Sequence, residues 1–180
     1  MIQLVYAYCP HGNHFGITVN GKGRLPWAHC PKDLENFKNV TQGTSLLMGA
    51  KTWQSLPGVL PGRPHIVLCN PDKPVPILEG RVMLHTPEMV LDPSHLIDFL
   101  EHHKDSDAII SVIGGISLLE TALPYASKVF QTRISSIHPM KSDVKLPETL
   151  DKLENFKLVE HKISMDDIHT IAFNEFERKL

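Results

Sequence analysis

The chain has 180 residues, of which 42% are hydrophobic, and a formal charge of -2. That suits one globular unit with a sizeable core, and 1–180 reads as a single domain. Lysine and arginine are spread along the chain, so no basic block points to nucleic acid and no polybasic patch to a membrane surface.

The first residues, MIQLVYAYCPHG, are apolar only briefly and follow no basic leader. They read as a buried first strand, not as a signal peptide or a span, and a cytoplasmic protein is expected. Glycine and proline cluster at 10–26, 57–64 and 71–76, which read as loops. Between such clusters lie short runs rich in branched residues, Ile2–Tyr8, Ser45–Met48, His65–Cys69, Ala108–Ile113 and Lys128–Ile134, which read as buried strands.

Helical patterns alternate with these runs. Lys32–Thr41 places Leu34, Phe37 and Val40 at helical spacing. Lys51–Leu56 follows, then Ser94–His103, opened by Asp92-Pro93, and Ile116–Leu123, entered through Gly114-Gly115 and stopped at Pro124. After Pro147 the pattern changes: Phe156–Ile163 and His169–Phe176 alternate loosely around Met165-Asp166-Asp167 and read as a closing hairpin. The expected fold class is α/β, with a mixed, mainly parallel central sheet, about four flanking helices and a C-terminal antiparallel hairpin.

Three cysteines, Cys9, Cys30 and Cys69, form no CxxC pair and read as reduced thiols. Eleven histidines raise the question of a metal, and Cys9 with His11 or His29 with Cys30 could be drawn as ligands. Neither pair has zinc-site spacing, so no metal is expected.

Two stretches invite chemistry. In Val112-Ile113-Gly114-Gly115 a strand runs into a glycine pair and then a helix. Backbone amides there can approach a phosphate, although a tight strand-to-helix turn needs the same glycines. This is not the GxGxxG fingerprint of an ordinary Rossmann fold. Asp33 is the second. Pro31 suits an early helical position, so Asp33 falls in the first turn, where an acid steadies the helix by about 0.3–1 kcal/mol. If Leu34 and Phe37 face inward, Asp33 is drawn toward the same apolar surface, where a carboxylate needs donors from the fold or from a ligand.

LPW at 25–27, Asp33, Phe37, MGAKTW at 48–53, LPGR at 60–63 and VIGG at 112–115 together closely resemble dihydrofolate reductases, in order and spacing, from residue 2 to about 147. MGAKTWQS and LPYASKVFQTRI look most like the reductases of large tailed phages, which would place the protein in the host cytoplasm. The resemblance implies an oxidoreductase that reduces 7,8-dihydrofolate to tetrahydrofolate by hydride transfer from NADPH; nothing in the sequence demands a dimer, so a monomer is expected. That product feeds one-carbon metabolism and nucleotide synthesis. It gives Asp33 and Thr132 the central roles, with the carboxylate accepting two side-by-side hydrogen bonds from the pterin edge. It gives Val5, Tyr6, Leu34, Phe37, Leu56, Leu60 and Ile113 to the walls around the substrate rings and Arg63 to the substrate's glutamate carboxylate. It gives Ala7, Leu25, Lys51, Thr52, Asn70, Gly114, Gly115, Ile116 and Ser117 to the cofactor, with Trp27 at the covering loop.

Departures from the family pattern are visible. Ala50 stands where many relatives have an arginine for the ribose 2′-phosphate, and Ser117 where a basic residue is common. Leu119 replaces a frequent aromatic, and Gly12–Arg24 is long and glycine-rich. The competing readings are a pyrimidine reductase of riboflavin synthesis and a non-catalytic folate- or nucleotide-binding virion component. The set Asp33, Phe37 and Arg63 argues against the first, and the pair Asp33 and Thr132 argues against loss of catalysis.

Overall fold

β1 (Ile2–Tyr8) lies inside the sheet, and the site is built around it. The computed structural model describes residues 1–80 and 82–180. In chain order the remaining elements are β2 (His14–Val19), β3 (Lys22–Arg24), α1 (Pro31–Thr41), β4 (Ser45–Gly49), α2 (Ala50–Ser55), β5 (His65–Leu68), β6 (Leu78–Glu79), β7 (Leu84–His85), β8 (Met89–Leu91), α3 (Leu96–His103), β9 (Ile110–Gly114), α4 (Ile116–Ala122), β10 (Lys128–Ser136), β11 (Val144–Lys145), α5 (Glu148–Lys152), β12 (Phe156–Met165) and β13 (His169–Arg178). The main sheet runs β12-β13-β10-β1-β9-β4-β5-β8. From β10 to β8 the neighbours are parallel, while β13 pairs antiparallel with both β10 and β12. This is the mixed, mainly parallel α/β sheet that the sequence pattern predicts.

Alternation along the strands sorts side chains onto two faces. Ile2, Leu4, Tyr6 and Tyr8 point to one face, where they pack with Leu100 of α3, Leu118 and Leu119 of α4 and Leu150 of α5. The opposite face carries α1 and α2. Gln3 reaches the Val40 carbonyl of α1 at 3.0 Å, and Trp53 of α2 packs on Leu46, Met48 and Val67. Fully burying one such large apolar side chain contributes about 1.5–3 kcal/mol.

Three expectations need correction. Residues 10–26 are not all loop, because β2 and β3 form a hairpin through Asn20 and Gly21, both at positive φ. Asn-Gly between two strand-like runs is a recognised signature of that turn, so the signal was present in the sequence. α5 is a fifth α-helix, a short element seated by buried Leu150. The expected helix from Ser94 begins with a 3₁₀ turn, Pro93–His95, in which the Asp92 carboxylate accepts the Ser94 N–H at 2.9 Å.

Candidate active site

α1 begins at Pro31 on an N-cap, Cys30, whose side chain makes no capping hydrogen bond. Asp33 follows in the first turn. Along α1 the buried or half-buried residues are Asp33, Asn36, Phe37, Val40 and Thr41, a stripe spaced by three and four. Asp33 is 8% exposed, but Leu34 is 48% exposed. The premise that Leu34 turns inward with Asp33 therefore fails. Asp33 is carried inward by the stripe through Phe37 and Thr41.

No hydrogen-bond donor among the described residues reaches the Asp33 carboxylate, and no cation pairs with it. Burial pushes its carboxyl up to about 6, with His169 acting in the opposite direction. A carboxylate in that state calls for donors from a ligand.

Beneath α1 lies the sheet face formed by odd-numbered β1 residues. Ala7 is in register with Thr132 on β10. Ala7 packs with Trp27, Cys30, Ile134 and Ile171, and the Trp27 indole N–H is buried with no partner among the described residues. Thr132 is buried, and beside it Asn36, Val40, Phe130 and Phe173 line a small cavity of about 90 Å³. No hydrogen bond joins Thr132 to Asp33 directly.

Arg63, which the resemblance gives to the substrate's glutamate carboxylate, is a buried arginine. It is 6% exposed and docks under the far end of α1, with Nη1 donating to Thr41 Oγ1 at 3.0 Å and Nε to the Pro61 carbonyl at 3.2 Å. Burial lowers its proton affinity. No carboxylate among the described residues pairs with it. From Asp33 to Thr41 the helix rises about 12 Å. One helix thus presents a buried unpaired acid at its start and holds a buried unpaired base at its end.

The glycine pair sits at the carboxyl end of β9, beside the end of β4. Gly114 has φ +131, which favours glycine, and a Cβ there would lie 3.5 Å from Thr52 Oγ1. A Cβ on Gly49 would be 3.9 Å from the Gly114 carbonyl and the Gly115 N–H, while one on Gly115 would meet nothing within 4 Å. The starts of α2 and α4 are therefore neighbours across adjacent strands, with open space over Gly115.

A family model described as dihydrofolate reductase matches residues 4–178. The chain belongs to the dihydrofolate reductase family. It is 29% identical to dihydrofolate reductase type A10 of Escherichia coli over 98% of this chain and 92% of that one. It is 35% identical to the dihydrofolate reductase of Bacillus subtilis over 75% of this chain and 70% of the relative. In fold it is similar to the Enterococcus faecalis dihydrofolate reductase solved with NADP(H) and RAB-propyl, with a TM-score of 0.79, 22% identity and coverage of 100% and 97%.

Against this family pattern the expected residues separate into those brought together and those not. Asp33, Phe37, Val5, Ala7, Thr132 and Ile113 share the α1 side of the sheet. Ile113, Leu56 and Leu60 gather on the Trp53 cluster beside α2. Tyr6 does not join them. Its side chain lies on the opposite face, and its hydroxyl donates to the Leu150 carbonyl at 2.5 Å, so it is not a wall of the α1 cleft. Leu119 is likewise fully buried on the α3–α5 face.

Leu25 and Lys51 are exposed, and Thr52, Ile116 and Ser117 lie in the first turns of α2 and α4. Asn70 is exposed, and its Oδ1 accepts the Asp72 N–H at 2.9 Å, which leaves its amide N–H₂ free to turn toward a ligand. Of the residues in the metal pairs drawn from the sequence, Cys30 is the one that falls in a cluster of three candidate ligands among the described residues. It meets Asp166 and His169, which sequence spacing gave no means of finding.

Proposed function

We propose that this chain reduces 7,8-dihydrofolate to 5,6,7,8-tetrahydrofolate with NADPH, and that 1–180 acts as one reductase domain. Family membership supports the reading, and one observation carries it within the chain. Asp33 is a buried acid at the start of α1 and Arg63 a buried cation held at Thr41, about 12 Å further along the helix axis, and neither has an ionic partner among the described residues. A pterin joined to benzoylglutamate brings two adjacent donors at one end and a carboxylate at the other.

In this reading Asp33 accepts the pterin ring N–H and exocyclic amino group side by side. Its negative charge favours protonation of the ring, and the proton arrives at the imine nitrogen through water. Thr132 supports the same network from β10. Val5, Phe37, Leu56, Leu60 and Ile113 exclude water around the rings, with Leu34 at the rim. Arg63 grips the glutamate carboxylate bidentately.

The open backbone over Gly115 and the adjoining first turn of α2 fit a dinucleotide. Gly114, Gly115, Ile116 and Ser117 would hold its pyrophosphate with Thr52, while Lys51 and the Asn70 amide would meet the ribose 2′-phosphate. Ala7 and Leu25 would border the nicotinamide, with Trp27 closing the site. Bound there, NADPH supplies the hydride, and the protein contributes orientation and dryness. A pyrimidine-reductase activity would leave Asp33 and Arg63 without use. We further take the protein to act as a monomer in a cytoplasm. If the tailed-phage likeness of MGAKTWQS holds, that is a host's cytoplasm.

The test is a purified-protein assay following NADPH absorbance with dihydrofolate. Turnover that Asp33→Asn abolishes supports the reading. No turnover, or turnover retained in Asp33→Asn, contradicts it.

A further inference from the structure

Beyond the folate cleft, α1 and the hairpin β12–β13 meet at a cluster with different chemistry. Cys30 is the N-cap of α1, Asp166 lies in the hairpin turn, and His169 opens β13. Their potential ligand atoms all lie within 4.8 Å of one another. His169 Nδ1 is 2.9 Å from Asp166 Oδ2, and Cys30 Sγ is 3.9 Å from the same oxygen.

Each partner is held in place. Asp166 Oδ1 accepts the N–H groups of Ile168 and His169 at 2.9 and 2.7 Å, which fixes the carboxylate with Oδ2 toward the thiol. Those bonds keep its carboxyl ionised, at about 2. The His169 side chain is 0% exposed, and its Nε2 has no hydrogen-bond partner among the described residues. Cys30 is buried, and burial with the charges of Asp33 and Asp166 outweighs the nearby Asp33 and Lys32 N–H groups to keep it a thiol. One carboxylate and a sulfur thus converge on one imidazole, and no lysine or arginine among the described residues pairs with them.

We propose that Cys30, Asp166 and His169 form a binding site for a borderline divalent cation of the zinc type. One sulfur, one nitrogen and one oxygen are the donor set that such ions favour over magnesium or calcium. In a tetrahedral zinc site donor atoms lie about 3.3–3.7 Å apart. Nδ1–Oδ2 at 2.9 Å and Sγ–Oδ2 at 3.9 Å lie on either side of that range and the thiol and imidazole lie within 4.8 Å of each other, so closure draws Cys30 Sγ in toward the other two donors. Three protein ligands leave a fourth position for water. The 25% exposed Asp166 side chain gives a path of entry. The metal would displace the thiol proton and tie the start of α1 to a turn 136 residues further along.

The experiment uses the full chain, reduced and stripped with a chelator, titrated with Co²⁺ and then with Zn²⁺ in competition. The expected result is one equivalent bound, with a thiolate-to-cobalt charge-transfer band that Zn²⁺ bleaches and a rise in melting temperature with Zn²⁺. Cys30→Ser should abolish the band, and Asp166→Asn, whose side-chain oxygen still accepts the turn N–H groups, should weaken binding about tenfold or more. Cys9→Ser should leave both unchanged. Absence of the band, its persistence in Cys30→Ser, or its loss in Cys9→Ser overturns the proposal. Because the readout is metal alone, its failure leaves the reductase reading untouched.

Discussion

Val5 and Tyr6 are consecutive in β1, yet they serve opposite faces of the sheet. Val5 faces α1, whereas Tyr6 crosses to α5 and bonds the Leu150 carbonyl, which also accepts Gln131 Nε2 at 2.9 Å. Tyr6→Phe should therefore lower stability by about 1 kcal/mol and leave the KM for dihydrofolate within about twofold. Denaturant melts and steady-state kinetics on the same preparation read both. A large rise in KM would return Tyr6 to the cleft.

Asp33→Asn removes the carboxylate that the substrate needs. We expect kcat/KM to fall by about a hundredfold or more, since one amide oxygen cannot accept both donors. The same substitution should stabilise the ligand-free protein at neutral pH by up to about 2–3 kcal/mol, because a buried unpaired charge is gone. A variant that is inactive and also less stable would mean that Asp33 is structural.

The pH dependence of stability follows from the same group. Its carboxyl sits near 6 in the fold against 3.8 when unperturbed. Between those values the folded chain binds more protons than the unfolded one, so stability falls as pH rises from about 4 to about 6. The full penalty, about 3 kcal/mol, is present above that window and absent below it. Cys30, Asp166 and His169 lie nearby, so urea melts should be run in EDTA, comparing wild type with Asp33→Asn. The difference should grow toward neutral pH, and a flat difference would refute the assignment.

Arg63→Lys keeps the charge and loses the planar fork. The KM for dihydrofolate should rise about tenfold while a pterin substrate lacking the glutamate is unaffected. Equal effects on both substrates would place Arg63 in a purely structural role through Thr41, whose hydroxyl it binds at 3.0 Å.

Ala50→Arg restores a cation at the first residue of α2. The preference for NADPH over NADH, read as a ratio of kcat/KM values, should increase about tenfold, the worth of one charge-assisted hydrogen bond. No change would show that Lys51 already satisfies the 2′-phosphate or that the phosphate lies elsewhere.

Local signals made much of this chain legible. β1, α1, β4, β5, β9, α4 and β10 lie close to where apolar periodicity and the flanking glycine and proline residues put them. The hairpin of β2 and β3 was missed although Asn20-Gly21 announces it, because glycine density was read as loop. Short edge pieces such as β8 and β11 carry too few residues for a pattern.

What the sequence determined by itself was most of the long strands and helices, the order of the main sheet-forming runs and the residue types available at each turn, since these follow from side-chain spacing within a few residues. Tertiary structure alone decided which polar groups lose water together. Asp33 is buried although Leu34 beside it is not, Arg63 is buried beneath Thr41, and Cys30 meets Asp166 across the fold. Desolvation depends on everything that packs around a group, and that surrounding comes from strands and helices far apart in the chain.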